Sequence, residues 1–213
     1  MSNSTVTLKE QAYASLKELI LSGELKAGGF LTERSLVDML GMSRTPIRAA
    51  LERLDFEGLA TYTPNKGLSV TDISLSKTVE LYDYRIAVES FVARKLSVMV
   101  WDKEDLDWFK RNLDEQQACV AADDHAGFTQ ADMRFHLKLA EVYGNEEIVQ
   151  AMAQLHNRLY QIALRVLRKD RSRIKVSYED HVSIIEAIQT GDQAEAIQRI
   201  EEHLEFGKRI LVM

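Results

Sequence analysis

LGMSRTPIRAALERL, residues 40–54, is the stretch that decides how the first third of the chain folds. Leu40 closes one apolar-periodic run, and Gly41 permits the tight turn of a helix-turn-helix. Ser43 is placed to cap the helix that follows, and Pro46 falls in its first turn, where a missing N–H is tolerated. Ile47, Ala50, Leu51 and Leu54 recur at helical spacing and form one apolar face. The opposite face begins with Ser43, Arg44, Thr45 and Arg48, hydroxyls and guanidiniums gathered into little more than one turn. Guanidinium bonds bidentately to guanine edges, hydroxyls take phosphate or base edges, and a helix N-terminus favours phosphate. The segment has the parts that reading a major groove requires.

Working outward, Leu8, Tyr13, Leu16, Leu19 and Ile20 give a first helix that Ser22 and Gly23 stop, and Gly28 and Gly29 make the next turn. Thr32 caps a short second helix with Leu36, Val37 and Leu40 buried. After the third helix, Gly58 leads into two β-prone stretches, 59–63 and 68–71, around a turn at 64–67 with Lys66 at its tip. The expected order is helix, helix, helix, hairpin. Beyond Val70 the pattern becomes almost continuously helical, with helices expected at 74–98, 102–122, 124–142, 145–169, 171–190 and 192–211. The expected fold is mainly α: a winged helix-turn-helix over 1–73, then an all-α antiparallel helical bundle over 74–213. A break in the helix near Val176 stays open.

Bulk properties set limits. The chain has 213 residues, 46% hydrophobic and 28% charged, with a formal charge of -6. Eight basic and nine acidic residues lie up to Ile73, 19 and 24 beyond it, so DNA contact needs a local arrangement of positive charge. Cys119 is the single cysteine, which excludes an intrachain disulfide and cysteine-rich zinc sites, and its helical surroundings suggest a small buried hydrophobe. The opening residues are polar and no apolar run approaches a membrane span, so a cytoplasmic protein is expected.

The first third closely resembles the winged-helix domain of GntR-family regulators, through residues 21–36 (LSGELKAGGFLTERSL), residues 40–54 and Glu57-Gly58-Leu59. That resemblance implies DNA contacts from Arg34, Ser43, Arg44, Thr45 and Arg48, with Lys66 and Gly67 at the wing tip. Two departures stand out: Ala27-Gly28 replaces the usual Pro-Gly, and the wing is less basic than is typical.

A second constellation lies in the helical part. Asp132 and His136 are four apart and project from one helix face. His181 stands ten residues before Gly191 and His203 twelve after it, so on an antiparallel hairpin they sit within roughly 3 Å of the same height. Three imidazoles and one carboxylate suit Zn, Ni, Mn or Fe. None of the spacings is a compact metal motif, and on spacing alone surface or satisfied core histidines are the favoured reading. The residues YRIAVE (84–89), DMRFHL (132–137), Gly144-Asn145, His181 and His203 resemble the FadR-type ligand-binding domain. The resemblance implies that Asp132, His136, His181 and His203 hold a divalent transition metal, Zn or Ni favoured, beside which a small organic acid binds. Arg85 would then face the acid's carboxylate, although an Arg85–Glu89 ion pair at i, i+4 is an alternative. His125 and His156 match no ligand position, and the basic run from Arg165 to Lys175 suggests a solvated face or a helix end rather than a second nucleic-acid site.

The expected protein is a homodimeric repressor of a palindromic operator, its recognition helices about 34 Å apart, its DNA affinity modulated by the acid. The alternatives are a metal-dependent enzyme acting on a small carboxylate and a constitutive architectural DNA-binding protein.

Overall fold

The computed structural model describes residues 7–212, apart from the side chain of Arg168. The chain divides into two compact units between Ile73 and Ser74.

In the first unit, helices α1 (Leu8–Ser22), α2 (Glu33–Leu40) and α3 (Arg44–Phe56) enclose one core with strands β1 (Phe30–Thr32), β2 (Ala60–Thr63) and β3 (Gly67–Val70). Thr7 opens α1 with a capping box, its hydroxyl accepting from the Glu10 amide while Glu10 reaches back to the Thr7 amide. Gly23 and Gly41 end α1 and α2 at positive φ, the left-handed turn that glycine adopts without a Cβ penalty. Leu16, Leu36, Ile47, Leu51, Leu54, Leu59 and Leu68 meet in the centre, fully buried. Each such side chain contributes on the order of 1.5–3 kcal/mol of hydrophobic stabilisation.

The sheet holds one strand more than the expected hairpin. Its order is β1-β3-β2, all antiparallel, with Thr32 and Thr63 both opposite Gly67. Three residues after a double glycine show no periodicity, so β1 exists because β3 offers an edge to pair with.

The second unit is helical throughout its described residues: α4 (Leu75–Leu96), α5 (Lys103–Ala122), α6 (His125–Tyr143), α7 (Glu146–Lys169), α8 (Arg173–Thr190) and α9 (Gln193–Val212). Helix α8 runs unbroken past Val176. Helix α4 packs on α9 and α6, α5 on α6 and α8, and α8 against α9 across the Gly191 turn. The fully buried Phe109, Phe128, Phe135, Leu96 and Leu139 help fill the centre. Helices α6, α8 and α9 each carry a buried histidine into this unit. Among the described residues, no helix is long and apolar enough to cross a membrane.

Candidate functional site

Two sites follow from these elements, one per unit. In the first unit, Arg34, Ser43, Arg44, Thr45 and Lys66 are exposed. Ser43 makes no side-chain cap bond, so its hydroxyl and the first amides of α3 stay available. Arg34 and Arg44 have no hydrogen-bond or ion-pair partner among the described residues.

Arg48 and Gly67 are placed differently from the rest of the predicted set. Arg48 is half-buried, its Nε 3.0 Å from Glu33 Oε2 and its Nη2 donating to Asn65 Oδ1 at 2.8 Å. Glu33 is itself buried and also accepts from Tyr62 Oη (2.7 Å) and the Asn65 amide (2.9 Å). Those bonds, that from Tyr62 foremost, hold its carboxyl below the usual range. One carboxylate therefore ties α2, α3 and the wing turn together, and Arg48 is part of that tie. Gly67 is buried within β3, where φ is 146° and a Cβ would stand 2.0 Å from the Leu31 carbonyl oxygen. Close strand pairing is a sufficient reason for its being glycine.

The second unit brings Asp132 and His136 of α6, His181 of α8 and His203 of α9 together, all buried, with ligand atoms within 4.8 Å of one another. His181 Nε2 stands 3.3 Å from His203 Nε2 and 3.4 Å from Asp132 Oδ1, and His136 Nε2 lies 3.8 Å from the same oxygen. Phe135 stacks on the His181 ring at 4.3 Å between centroids and meets the His136 ring edge-on at 5.4 Å, limiting how either can turn.

The outer ring nitrogens are all engaged. His136 Nδ1 is 2.6 Å from Glu89 Oε2, His203 Nδ1 is 3.0 Å from Asp180 Oδ2, and His181 Nδ1 is 2.7 Å from Gln116 Oε1. With each Nδ1–H donating outward, three Nε2 lone pairs and a carboxylate face one another. His136 Nε2 is buried with no hydrogen-bond partner. Burial, then the neighbouring His203 and His136, push His181 well below the usual imidazole range. Burial likewise lowers His203 against the pull of Asp180. Such a set repels itself unless a cation fills it. Two ligands on opposite sides of an ion with bonds of about 2.1 Å lie about 4.2 Å apart. The residues fit a divalent ion after inward shifts of a few tenths of an ångström.

Beside the cluster lies a cavity with about 400 Å³ of empty space, part of it open solvent. Arg85 and Arg173 line it together with Asp132, His203, Tyr82 and Thr129. The i, i+4 pair is real: Arg85 Nε donates to Glu89 Oε1 at 2.6 Å. Yet Arg85 Nη2 remains buried and without a hydrogen-bond partner among the described residues, so the ion pair does not use up the donors of Arg85. Burial pushes the Glu89 carboxyl up, but Arg85 and His136 hold it down to about 2. Burial raises the Tyr82 phenol to about 12, keeping it a hydrogen-bond donor.

The basic run spans the end of α7 and the start of α8, which fits a helix-end reading, while the solvated-face reading fails at Arg173. Arg173 is buried, and its Nη2 donates to Asp180 Oδ2 at 2.7 Å and lies 3.2 Å from His203 Nδ1. Arg85–Glu89–His136 and Arg173–Asp180–His203 are thus two copies of one arrangement. Sequence reasoning missed Glu89, Asp180, Gln116 and Arg173 as site residues. The local signals were the spacing of Arg85 and Glu89, four apart, and of Arg173 and Asp180, seven apart on one helix. Cys119 is only partly buried, and His125 pairs with Asp123 outside the cluster.

Known proteins share both units. Residues 8–70 match the family of bacterial regulatory proteins described as the gntR family, and residues 80–206 match the FCD domain. The Uxu operon regulator of Haemophilus influenzae is 29% identical over 210 residues, which cover 89% of this chain and 76% of the relative. The gluconate operon transcriptional repressor of Bacillus subtilis is 26% identical over 197 residues, covering 89% and 79%. Among solved structures, E. coli McbR/YncC gives a TM-score of 0.78 at 23% identity, covering 98% of both chains. At that identity the likeness is one of fold.

Proposed function

The chain belongs to the GntR family of bacterial regulators, in the branch that carries an FCD domain, and from that premise we propose a repressor whose operator affinity is set by a small organic acid bound beside a metal ion. Its relatives are transcription regulators rather than enzymes, which leaves the metal-dependent enzyme without support. The finer reading concerns how this regulator is built and controlled.

In this reading Arg34, Ser43, Arg44, Thr45 and Lys66 meet the DNA. Arg34 and Arg44 are exposed cations with no partner among the described residues, and Arg44 opens the helix whose first amides lack a side-chain cap. Arg48 and Gly67 serve the same surface by holding the wing. Two such surfaces in a homodimer would suit successive major grooves about 34 Å apart.

Asp132, His136, His181 and His203 would hold the ion, with Zn²⁺ or Ni²⁺ preferred for an imidazole-rich set. When bound, it supplies a Lewis-acid position for a carboxylate. The protein's own groups supply the rest. Arg85 Nη2 offers an unused donor and Tyr82 a hydroxyl, whereas the Thr129 hydroxyl already donates to the His125 carbonyl at 2.8 Å. Charge supports a monoanion: Arg85 and Arg173 offset Glu89 and Asp180, Asp132 leaves one negative charge, and a divalent ion leaves one positive. An uncompensated buried charge costs several kcal/mol. The acid changes DNA binding only if it binds one conformational state better than another.

The observation that carries this reading is the convergence of three imidazole Nε2 atoms on Asp132 with the unused Arg85 donor at the adjoining cavity. Elemental analysis and native mass spectrometry of the purified protein test it. About one divalent ion per chain, lost in a His136→Ala variant, is expected. A metal-free protein that Zn²⁺ and Ni²⁺ fail to reconstitute would rule it out.

A further inference from the structure

Of the three imidazoles, His181 alone has an Nδ1 that meets no carboxylate. Its partner is the side-chain oxygen of Gln116, and an amide does not by itself fix a direction. Turned the other way, Gln116 would offer its NH₂, Nδ1 would have to accept, and the His181 proton would sit on Nε2. That proton would then point at Asp132 and His203.

The choice is made further out. Gln116 Nε2 donates to Asn112 Oδ1 at 2.7 Å, and Asn112 Nδ2 donates to the Ala131 carbonyl at 3.1 Å. A backbone carbonyl can only accept. Asn112 must therefore turn its NH₂ toward Ala131 and its oxygen toward Gln116. Gln116 must then give its NH₂ to Asn112 and its oxygen to His181. Asn112 is 4% exposed, and Gln116 and His181 are fully buried, which keeps bulk water from supplying an alternative partner.

We infer that Asn112 and Gln116 are positioning residues of the metal site, a one-directional amide chain that starts at the Ala131 carbonyl and keeps the His181 Nε2 lone pair facing the ligand cluster. Neither residue touches the ion. They act through the tautomer of His181, the usual task of the groups behind metal-bound histidines. The inference rests on His181 being a metal ligand.

The test is Zn²⁺ affinity of the full chain, measured by competition with a chromophoric chelator. Asn112→Leu removes the group that distinguishes the two orientations of Gln116, and should weaken Zn²⁺ binding by about 10-fold or more. Adding Gln116→Glu to that variant should restore affinity, because a carboxylate presents an oxygen to His181 whichever way it turns. A packing role for Asn112 would not be rescued in this way. Independently of any variant, ¹⁵N shifts of the metal-free wild type should show His181 protonated at Nδ1. Protonation at Nε2, an unchanged affinity in Asn112→Leu, or no recovery in the double variant would each overturn the inference. His181→Ala keeps the two levels apart. If it leaves Zn²⁺ affinity unchanged, the metal reading itself fails. If it weakens binding while Asn112→Leu does not, only the amide chain fails.

Discussion

Neutral imidazoles facing one another in a dry core are stable only while they stay unprotonated. His181 and His203 are both held below the ordinary imidazole range, chiefly by burial, whereas in an unfolded chain they titrate near about 6.5. Below that pH the unfolded state binds more protons than the folded one, so stability falls as pH drops. Chelator-treated protein should therefore lose melting temperature between about pH 7 and pH 5, before the carboxylate pairs of Glu89 and Asp180 begin to protonate. A flat profile across that range contradicts a buried neutral cluster. Zn²⁺ should remove most of the loss at the upper end, and at about 100 times its Kd it should add about 2.7 kcal/mol of stability. A spacing of four put Asp132 and His136 on one helix face, and His181 and His203 stand ten and twelve residues from one turn, but it took the family resemblance to favour a metal site over ordinary core histidines. Their outer partners were not legible. Glu89, Gln116 and Asp180 reach the imidazoles across helix–helix contacts, and such contacts leave no period in the sequence.

At the level of elements, the wing depends on two residues that never need to touch DNA. Gly67→Ala would drive a Cβ into the Leu31 carbonyl oxygen and force β3 away from β1. The first unit should lose more than about 1 kcal/mol in denaturant unfolding, with amide exchange rising first at 30–32 and 67–70. Glu33→Ala should act at longer range. Without its carboxylate, Tyr62 Oη, the Asn65 amide and Arg48 lose a common acceptor. Exchange at the wing turn should quicken, and operator affinity should fall although no DNA-facing group is changed. Wild-type exchange rates at Asn65 would count against that role for Glu33. The three helices and the hairpin were readable because glycines, caps and apolar spacing all agree there. Strand β1 was not, because pairing with β3 rather than any feature of residues 30–32 creates it. The burial of Arg173 was not readable for a related reason: a guanidinium in a charged stretch gives no local sign that Asp180 and His203 will receive it in the core.

For the whole molecule, the division between Ile73 and Ser74 predicts separable responses. Calorimetry should resolve the unit that Zn²⁺ stabilises, residues 74–213, from one that Zn²⁺ leaves unmoved. Arg44→Ala should weaken binding to a DNA site selected from random sequence by about 1–3 kcal/mol and relax preference at one base pair. Its metal content should stay unchanged. Undiminished affinity would place the reading surface elsewhere. Within the second unit, Glu89 has both oxygens committed at 2.6 Å, one to Arg85 and one to His136. An acid that draws on Arg85 and an ion that draws on His136 therefore lean on the same carboxylate. By reciprocity, whatever factor the ion applies to the affinity of the acid, the acid applies to the affinity of the ion. In the proposed reading, the acid concentration that half-loads the regulator is then no constant of the protein but follows the supply of free metal.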